Sequence, residues 1–265
     1  MTIAATTRVE TNAQARGLLI DITRCIGCRA CAAACKESHG FPGDGTETQL
    51  DATTYTVVLD KGDDRYVRQL CMHCADPSCA SACPVGALRK TSLGPVTYDA
   101  SRCLGCRYCM VACPFGVPKY EWTSAVPAVR KCDMCVERLA AGQVTACAEA
   151  CPAEATVAGT RAELLEEAHR RIREDPGKYH PVVYGEHEVG GTSVLFLSPV
   201  PFEELGFRAG LPSEPMPSLT WAALEKVPGV VTIGGASLFA IWWITHRREE
   251  VALAEGRAGT PSTRG

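Results

Sequence analysis

Aromatic residues are scarce in this 265-residue chain, at 6%, and neither sign of charge dominates it. The 27 basic and 30 acidic residues give a formal net charge of −3, with no basic stripe interleaved with aromatics, so nucleic acid is not an expected partner. The sequence has no glycine-rich phosphate loop, nucleophile elbow or pair of catalytic carboxylates. We therefore expect that the chain is not itself an enzyme.

Cysteine, by contrast, is abundant, with sixteen residues in four quartets of similar spacing. The quartets are Cys25, Cys28, Cys31 and Cys35; Cys71, Cys74, Cys79 and Cys83; Cys103, Cys106, Cys109 and Cys113; and Cys132, Cys135, Cys147 and Cys151. Short steps let a loop hold three corners of one iron–sulfur cube, while the fourth cysteine, followed by proline, binds the neighbouring cube. Proline follows the fourth cysteine in three quartets, and Lys36 follows it in the first. We expect Lys36 to be solvated, the alternative being that its charge raises the potential of a nearby cluster. The sequence therefore predicts four [4Fe–4S] clusters, and a series of clusters conducts electrons.

Disulfides and zinc sites are the two other common uses of so many cysteines. Steps of three and four residues are too short for local disulfides of good geometry. Zinc sites commonly pair two C-x-x-C units about fifteen to twenty residues apart. The fourth quartet alone resembles that pattern, whereas the short consecutive steps of the first and third quartets leave no second unit. Iron–sulfur clusters are the better interpretation.

The pattern of elements predicts an α+β fold of two interleaved bacterial ferredoxin-like modules followed by a C-terminal single transmembrane helix. A helix is expected over 160–173, where Thr160 and Glu163 form a capping box. The second and third quartets lie nineteen residues apart around a short strand, so an inner module, about 71–113, is inserted in an outer one. The predicted segments are an N-terminal arm (1–16), the four-cluster domain (17–160), a C-terminal extension with a helix and a strand (161–198), a proline-rich linker (199–226), the transmembrane helix (227–245) and a cytoplasmic tail (246–265).

The predicted transmembrane helix rests on nineteen uncharged residues, 227–245. At about 1.5 Å per residue this helix would span roughly 30 Å, the thickness of a hydrocarbon core. Trp242 and Trp243 near one end, and Trp221 before the other, suit the aromatic belts of a bilayer. A buried core helix is the alternative, but little protein follows that could bury it. We expect a single membrane anchor.

The cysteine-bearing segments resemble the four-cluster iron–sulfur subunits of the dimethyl-sulfoxide-reductase type. The resemblance lies in Cys71-Met-His-Cys-Ala-Asp-Pro-Ser-Cys-Ala-Ser-Ala-Cys-Pro, in Cys103-Leu-Gly-Cys-Arg-Tyr-Cys-Met-Val-Ala-Cys-Pro and in Lys131-Cys-Asp-Met-Cys, and it covers residues 17–248. Within this family the chain is most similar to the iron–sulfur (beta) subunits of hydrogenase-2 and, next, of membrane-bound formate dehydrogenase.

The resemblance implies how sixteen cysteines are shared among four clusters, whose ligands we number as sets. Set 1 is Cys25, Cys28, Cys31 and Cys151; set 2 is Cys35, Cys132, Cys135 and Cys147; set 3 is Cys71, Cys74, Cys79 and Cys113; set 4 is Cys83, Cys103, Cys106 and Cys109. His73, inside the second quartet, is expected either to donate a hydrogen bond to a cluster sulfur or only to fill the loop. Residues 36–70 and those after 155 are expected to contact partners, because they are not needed to hold clusters.

The expected function is electron transfer within a membrane-bound respiratory oxidoreductase. The partners implied are a catalytic subunit, either a nickel–iron hydrogenase or a molybdenum or tungsten enzyme, an integral-membrane quinone-reactive subunit, and the lipid bilayer around 227–245. The alternatives are electron flow from quinol to a molybdenum reductase acting on polysulfide or dimethyl sulfoxide, and, in another class, a soluble polyferredoxin carrier or structural metal-binding module. Four basic residues follow the apolar segment within twenty positions and two precede it, which favours a cytoplasmic C-terminus and a periplasmic cluster domain. With no apolar leader or twin-arginine pair, the chain is expected to be exported folded with a signal-bearing partner.

Overall fold

The computed structural model describes residues 15–125 and 127–256 of the chain. It confirms the α+β fold, with a first compact unit, Met1–Pro217, and a second, Ser218–Gly265. The strands are β1 (Arg16–Asp21), β2 (Val57–Asp60), β3 (Tyr66–Gln69), β4 (Leu88–Lys90), β5 (Val96–Tyr98), β6 (Lys119–Tyr120), β7 (Val129–Arg130), β8 (Thr156–Thr160) and β9 (Val194–Leu197). The helices are α1 (Ala30–His39), α2 (Ser78–Ser81), α3 (Tyr108–Ala112), α4 (Val136–Ala140), α5 (Ala146–Glu149), α6 (Arg161–Glu174), α7 (Met216–Leu224) and α8 (Val227–Ala254).

A three-stranded sheet with the order β8-β1-β9 lies at the centre of the first unit. Strand β1 is antiparallel to β8 and parallel to β9. Successive residues of β1 point to opposite faces, so Leu18 and Ile20 join the core that contains several cysteines, while Leu19 packs in a second core under α6. A Cβ atom at Gly17 would lie 2.4 Å from the carbonyl oxygen of Ser193, so the pairing of these strands requires glycine there.

Helix α6 covers one face of this sheet and begins with the predicted capping box. The amide of Glu163 donates to Oγ1 of Thr160 at 3.3 Å, and the amide of Thr160 donates back to the carboxylate of Glu163 at 3.0 Å. Leu164 and Ala168 are buried against the sheet. The predicted helix over 160–173 is confirmed within one residue at each end.

The short cysteine-bearing helices pack in two pairs. Helix α1, from the first quartet, packs against α5, from the fourth, and α2, from the second quartet, packs against α3, from the third. The antiparallel hairpin β4–β5 connects the second and third quartets. This arrangement supports the predicted insertion of an inner module in an outer one, which stays a prediction.

The predicted proline-rich linker, 199–226, is wrong for much of its length. Residues Phe202–Leu205 form a 3-10 turn in which Phe202 and Leu205 are buried, and the ring of Phe207 lies 5.0 Å from that of Phe196 in an edge-to-face contact. Helix α7 occupies a further part of this range. Proline fixes φ but does not prevent packing, and the apolar residues between these prolines have a core to contact.

The predicted N-terminal arm, 1–16, lies mostly outside the described residues. Its last two residues belong to the folded unit, because Ala15 is buried and Arg16 begins β1.

The described part of the second unit is largely helical, and the helical stretch Met216–Ala254 is long and apolar enough to cross a membrane by length and composition. The predicted span, 227–245, lies inside α8, which continues through polar residues to Ala254. Part of the tail expected from residue 246 is therefore helical. No residue of the most apolar 18-residue window is buried within the described chain.

Asp21 connects the end of β1 to α6, and we expect it to be important for stability. Its buried Oδ2 accepts hydrogen bonds from Nη1 of Arg171 and from the hydroxyl of Tyr179, both at 2.9 Å. The substitution Asp21→Asn removes a buried charge from this pair and should cost roughly 3 kcal/mol of stability. Thermal unfolding followed by circular dichroism measures the effect.

The matched control is Glu174→Gln, which breaks an exposed pair with Arg170 on the same helix and should cost far less stability than Asp21→Asn. Equal melting temperatures for the two variants would contradict the importance of Asp21.

Candidate iron–sulfur centres

The four cysteines of set 1 line one cavity beside β1. Three of them come from the first loop and α1, whereas Cys151 follows α5 more than a hundred positions later. Two arginines, Arg29 and Arg68, line the same cavity, and most of the remaining lining is apolar. The residues therefore fit a negatively charged cofactor held by four thiolates.

The four cysteines of set 4 line a second cavity of the same kind. Cys83, which follows α2, meets the three cysteines of the third loop there. Burial acts to raise the pKa of the Cys83 thiol, but hydrogen bonds from the following backbone amides outweigh it and lower the pKa. One of these amides, that of Ala87, lies 3.2 Å from the sulfur. Such bonds favour the thiolate, the form that binds iron.

In set 3 the thiols lie close enough together for one thiol to raise the pKa of another. Burial, followed by the neighbouring Cys71, Cys113 and Cys79, raises the pKa of Cys74 well above its usual value. Four crowded thiols of this kind lose their protons when a metal binds, because the metal charge replaces the protons.

Set 2 is also assembled from distant segments. Burial, followed by the nearby Cys35, raises the pKa of Cys132 well above its usual value. Burial also raises the pKa of Cys135, and Cys147 adds to the shift. For Cys147 itself burial is outweighed by the charge of Arg68, and its pKa is lowered. The sharing of ligands stays a prediction for all four sets, and these neighbourhoods agree with it.

The first and third loops share one backbone conformation. Gly27 and Gly105 have φ values of 69° and 71°, and Arg29 and Arg107 have 60° and 62°. These left-handed residues turn the chain around each site and immediately precede α1 and α3. The amide of Gly105 lies 3.4 Å from the sulfur of Cys103 as a result. The repeated pattern Cys-x-Gly-Cys-Arg-x-Cys thus gives the same geometry twice.

Two buried donors in the cysteine loops have no hydrogen-bond partner among the described residues. One is Nε of Arg29, beside set 1. The other belongs to His73, whose Nδ1 accepts from the amide of Val96 at 2.9 Å, so that Nε2 carries the proton and is unpaired. Burial, with the charges of Lys131 and Lys90, holds the pKa of His73 well below its usual value and keeps the ring neutral. Buried donors of this kind fit a cofactor that brings its own sulfur acceptors.

Sets with consecutive numbers lie next to each other. In each case a cysteine of the next set is among the charged groups that raise the pKa of a cysteine in the set before it. The neighbouring pairs are Cys31 and Cys147 for sets 1 and 2, Cys132 and Cys71 for sets 2 and 3, and Cys79 and Cys109 for sets 3 and 4. The two end sets each include an exposed thiol, Cys28 in set 1 and Cys106 in set 4. Exposed apolar residues accompany both, with Ile26 62% exposed and Leu104 71% exposed.

The expectation that Lys36 is solvated is wrong. This residue is only 4% exposed. Its Nζ donates to the carbonyl oxygen of Pro42 at 2.8 Å and to Oγ1 of Thr54 at 3.1 Å, and it lies 2.8 Å from the carboxylate of Glu47. Lys36 therefore holds the segment that follows α1, which includes Pro42, Glu47 and Thr54, against that helix.

Three further cations near the cysteines were not predicted from the sequence. They are Arg68 and Lys131, which are buried, and Lys90, which is half-buried. Nζ of Lys90 donates to the carbonyl oxygen of His73 at 3.0 Å, and burial lowers the pKa of Lys90 to about 8. Nζ of Lys131 donates to the carbonyl oxygen of Cys132 at 2.9 Å. The available signal was a basic residue within or beside a short apolar strand.

The extension after residue 155 supports the second cysteine loop directly. The amides of Ser193 and Val194 donate to the carbonyl oxygens of His73 and Met72 at 3.1 and 3.2 Å. The expectation that the sites do not need these residues is therefore wrong.

Comparison with known proteins agrees with this arrangement. Residues 62–161 match the family model of the 4Fe-4S dicluster domain. A protein of Nitratidesulfovibrio vulgaris is 45% identical over 90% of this chain and 69% of its own length. The hydrogenase-2 operon protein HybA of Escherichia coli O157:H7 is 40% identical over 71% of each chain. The iron–sulfur subunit of the nitrate-inducible formate dehydrogenase of E. coli K12 is 35% identical over 68% of this chain and 66% of its own.

The chain belongs to this family of iron–sulfur subunits. The resemblance found in the sequence is thereby confirmed, as is the ferredoxin-like dicluster region. The chain is an iron–sulfur electron-transfer subunit, and its relatives are subunits of oxidoreductase complexes that are typically not catalytic.

The sharing of ligands can be tested with two neighbouring cysteines of the fourth quartet. Cys151→Ser should alter only the cluster of set 1, and Cys147→Ser only that of set 2, although both side chains belong to one stretch of sequence. Electron paramagnetic resonance of the reduced protein, with an iron assay, distinguishes the clusters. If both substitutions altered the same cluster, the predicted ligand sets would be wrong.

Proposed function

We propose that this chain is the electron-relay subunit of a membrane-bound respiratory oxidoreductase and that it holds four [4Fe–4S] clusters. The observation that carries the proposal is the presence of two cavities, each lined by four cysteines drawn from two different quartets. Sets 2 and 3 complete a series of four neighbouring sites between them. When bound, each cluster supplies a centre that gains and loses one electron.

The polypeptide's own part is to enclose these centres and to fix their surroundings. Backbone amides donate to the sulfurs of Cys83, Cys103 and Cys132 at 3.2 to 3.4 Å. Buried lysines and arginines supply positive charge beside the thiolates, and apolar side chains exclude water. These are the means by which a protein adjusts the potential of an iron–sulfur cluster.

The exposed ends of the series suit contact with two partners. We assign sets 1 and 4 to these contacts because Cys28 and Cys106 are exposed members of the terminal sets. HybA is named for a hydrogenase-2 operon and the other relative for a formate dehydrogenase. A catalytic subunit of hydrogenase or formate dehydrogenase type and a quinone-reactive membrane subunit are therefore the proposed partners.

Helix α8 is the proposed membrane anchor. Its apolar side chains are exposed along the predicted span, with Val230, Ile233 and Leu238 each about 70% exposed. The excess of arginine after this segment favours a cytoplasmic C-terminus, with the clusters on the other side of the membrane. An anchored subunit explains this exposed surface better than a free carrier does.

Anaerobic purification from native membranes tests the function. We expect about sixteen irons and as many sulfides per chain, together with a co-purifying nickel- or molybdenum-containing subunit identified by mass spectrometry. Zinc in place of iron, or a chain recovered alone from the soluble fraction, would contradict the proposal.

The anchor is tested by a chain that ends at Lys226. We expect it to leave the membrane fraction while keeping its iron, because the described cysteine sites lie entirely within the first unit. Fractionation and iron assay of the truncated and full chains measure both properties. An unchanged membrane fraction would contradict α8 as the sole anchor, because the proposed membrane subunit would then hold the chain at the bilayer.

A further inference from the structure

Arg68 is a buried cation that no acidic side chain of the described residues neutralises. It lies on β3 and is 3% exposed. Its Nε donates to Oγ1 of Thr56 at 2.9 Å and its Nη1 to Oγ1 of Thr156 at 3.3 Å. Among residues 15–125 and 127–256, no carboxylate forms an ion pair with it. A buried charge is costly unless an opposite charge lies nearby, so this guanidinium requires an anion.

The neighbours of Arg68 show where that anion would lie. Its side chain lines the cavity formed by the cysteines of set 1. It also lies beside Cys147 and Cys132, which belong to set 2. The two threonines hold it in place from β8 and from the residue before β2, and its guanidinium also hydrogen-bonds the sulfur of Cys147.

We propose that Arg68 is a counter-ion shared by the clusters of sets 1 and 2, and that it raises the reduction potentials of both. The inference rests on the proposed function, since it requires clusters at these two sets. A cluster with four thiolate ligands is an anion, and reduction adds one more negative charge. A fixed positive charge in a poorly screened interior therefore favours the reduced form. Arginine is suited to this role because it does not lose its proton in proteins.

The test compares two substitutions in the full chain, purified with its complex. Arg68→Gln removes the charge but keeps a hydrogen-bonding group, whereas Arg68→Lys keeps the charge. All four potentials are measured by redox titration followed by electron paramagnetic resonance, after iron assay of each preparation. For Arg68→Gln we expect the equilibrium constant for reduction of two clusters to fall about tenfold, which is 59 mV for one electron. The potentials of the other two clusters should not change. In Arg68→Lys the potentials of all four clusters should stay close to those of the unsubstituted protein.

The matched control is Arg161→Gln. Arg161 is also largely enclosed, but it donates to the carbonyl oxygens of Thr192 and Glu186, and no cysteine is among its charged neighbours. It should leave all four potentials unchanged. Loss of iron from two clusters alone in Arg68→Gln, with Arg68→Lys complete, would also support the shared counter-ion.

Three results would overturn the inference. These are unchanged potentials in a fully loaded Arg68→Gln protein, equal shifts in all four clusters, and an Arg68→Lys protein as impaired as Arg68→Gln, whether in potential or in assembly. The iron content of the unsubstituted protein separates this failure from that of the proposed function. About sixteen irons with unmoved potentials would reject only the role of Arg68.

Discussion

The fold depends on one constraint, the proposed sharing of ligands, in which each cysteine quartet gives three thiols to one site and the fourth to another. A quartet that meets this constraint cannot complete a site by itself. The helix pairs α1 with α5 and α2 with α3 are the consequence, because each pair brings together the cysteines that two quartets exchange. Strands β1 and β8 pair for the same reason, since they flank the first and last cysteines and hold the ends of the outer module together.

Crowding thiolates in an interior creates a second requirement, which is positive charge where water cannot provide screening. The chain meets it with basic residues whose nitrogen atoms are held by neutral groups. Lys90 and Lys131 donate to backbone carbonyl oxygens around the second and fourth quartets, and Arg68 donates to two threonines. Neutral partners leave the positive charge uncancelled. An aspartate or glutamate in place of these neutral partners would accept the same hydrogen bonds, but its negative charge would cancel the positive charge that stabilises the thiolates.

The spacing of cysteines leads to a prediction of the sites because three members of most quartets lie close together in sequence, and the two cavities lined by four cysteines agree with that prediction. The left-handed glycines Gly27 and Gly105 follow from the same short repeat. The buried cations could not be found this way, because their proximity to cysteine depends on contacts between distant segments. Arg68 lies more than forty residues from Cys25 and from Cys147 in the sequence, yet its charge acts to lower the pKa of both thiols. Residues 36–70 contain no cysteine and were therefore expected to contact partners. They nevertheless include Arg68, which lies beside sets 1 and 2.

The segment after β9 shows a second kind of feature that the sequence does not predict, which is the packing of a proline-rich chain. Five prolines between 198 and 218 indicate an extended chain, and composition alone does not say whether such a chain has a surface to cover. Here Tyr184 and Phe196 offer one, and Phe207 contacts both, with ring centroids 4.8 and 5.0 Å apart. These residues belong to the core that also includes Cys71 and Cys132. The segment thereby excludes water beside sets 2 and 3, and a lower local dielectric strengthens every charge interaction there.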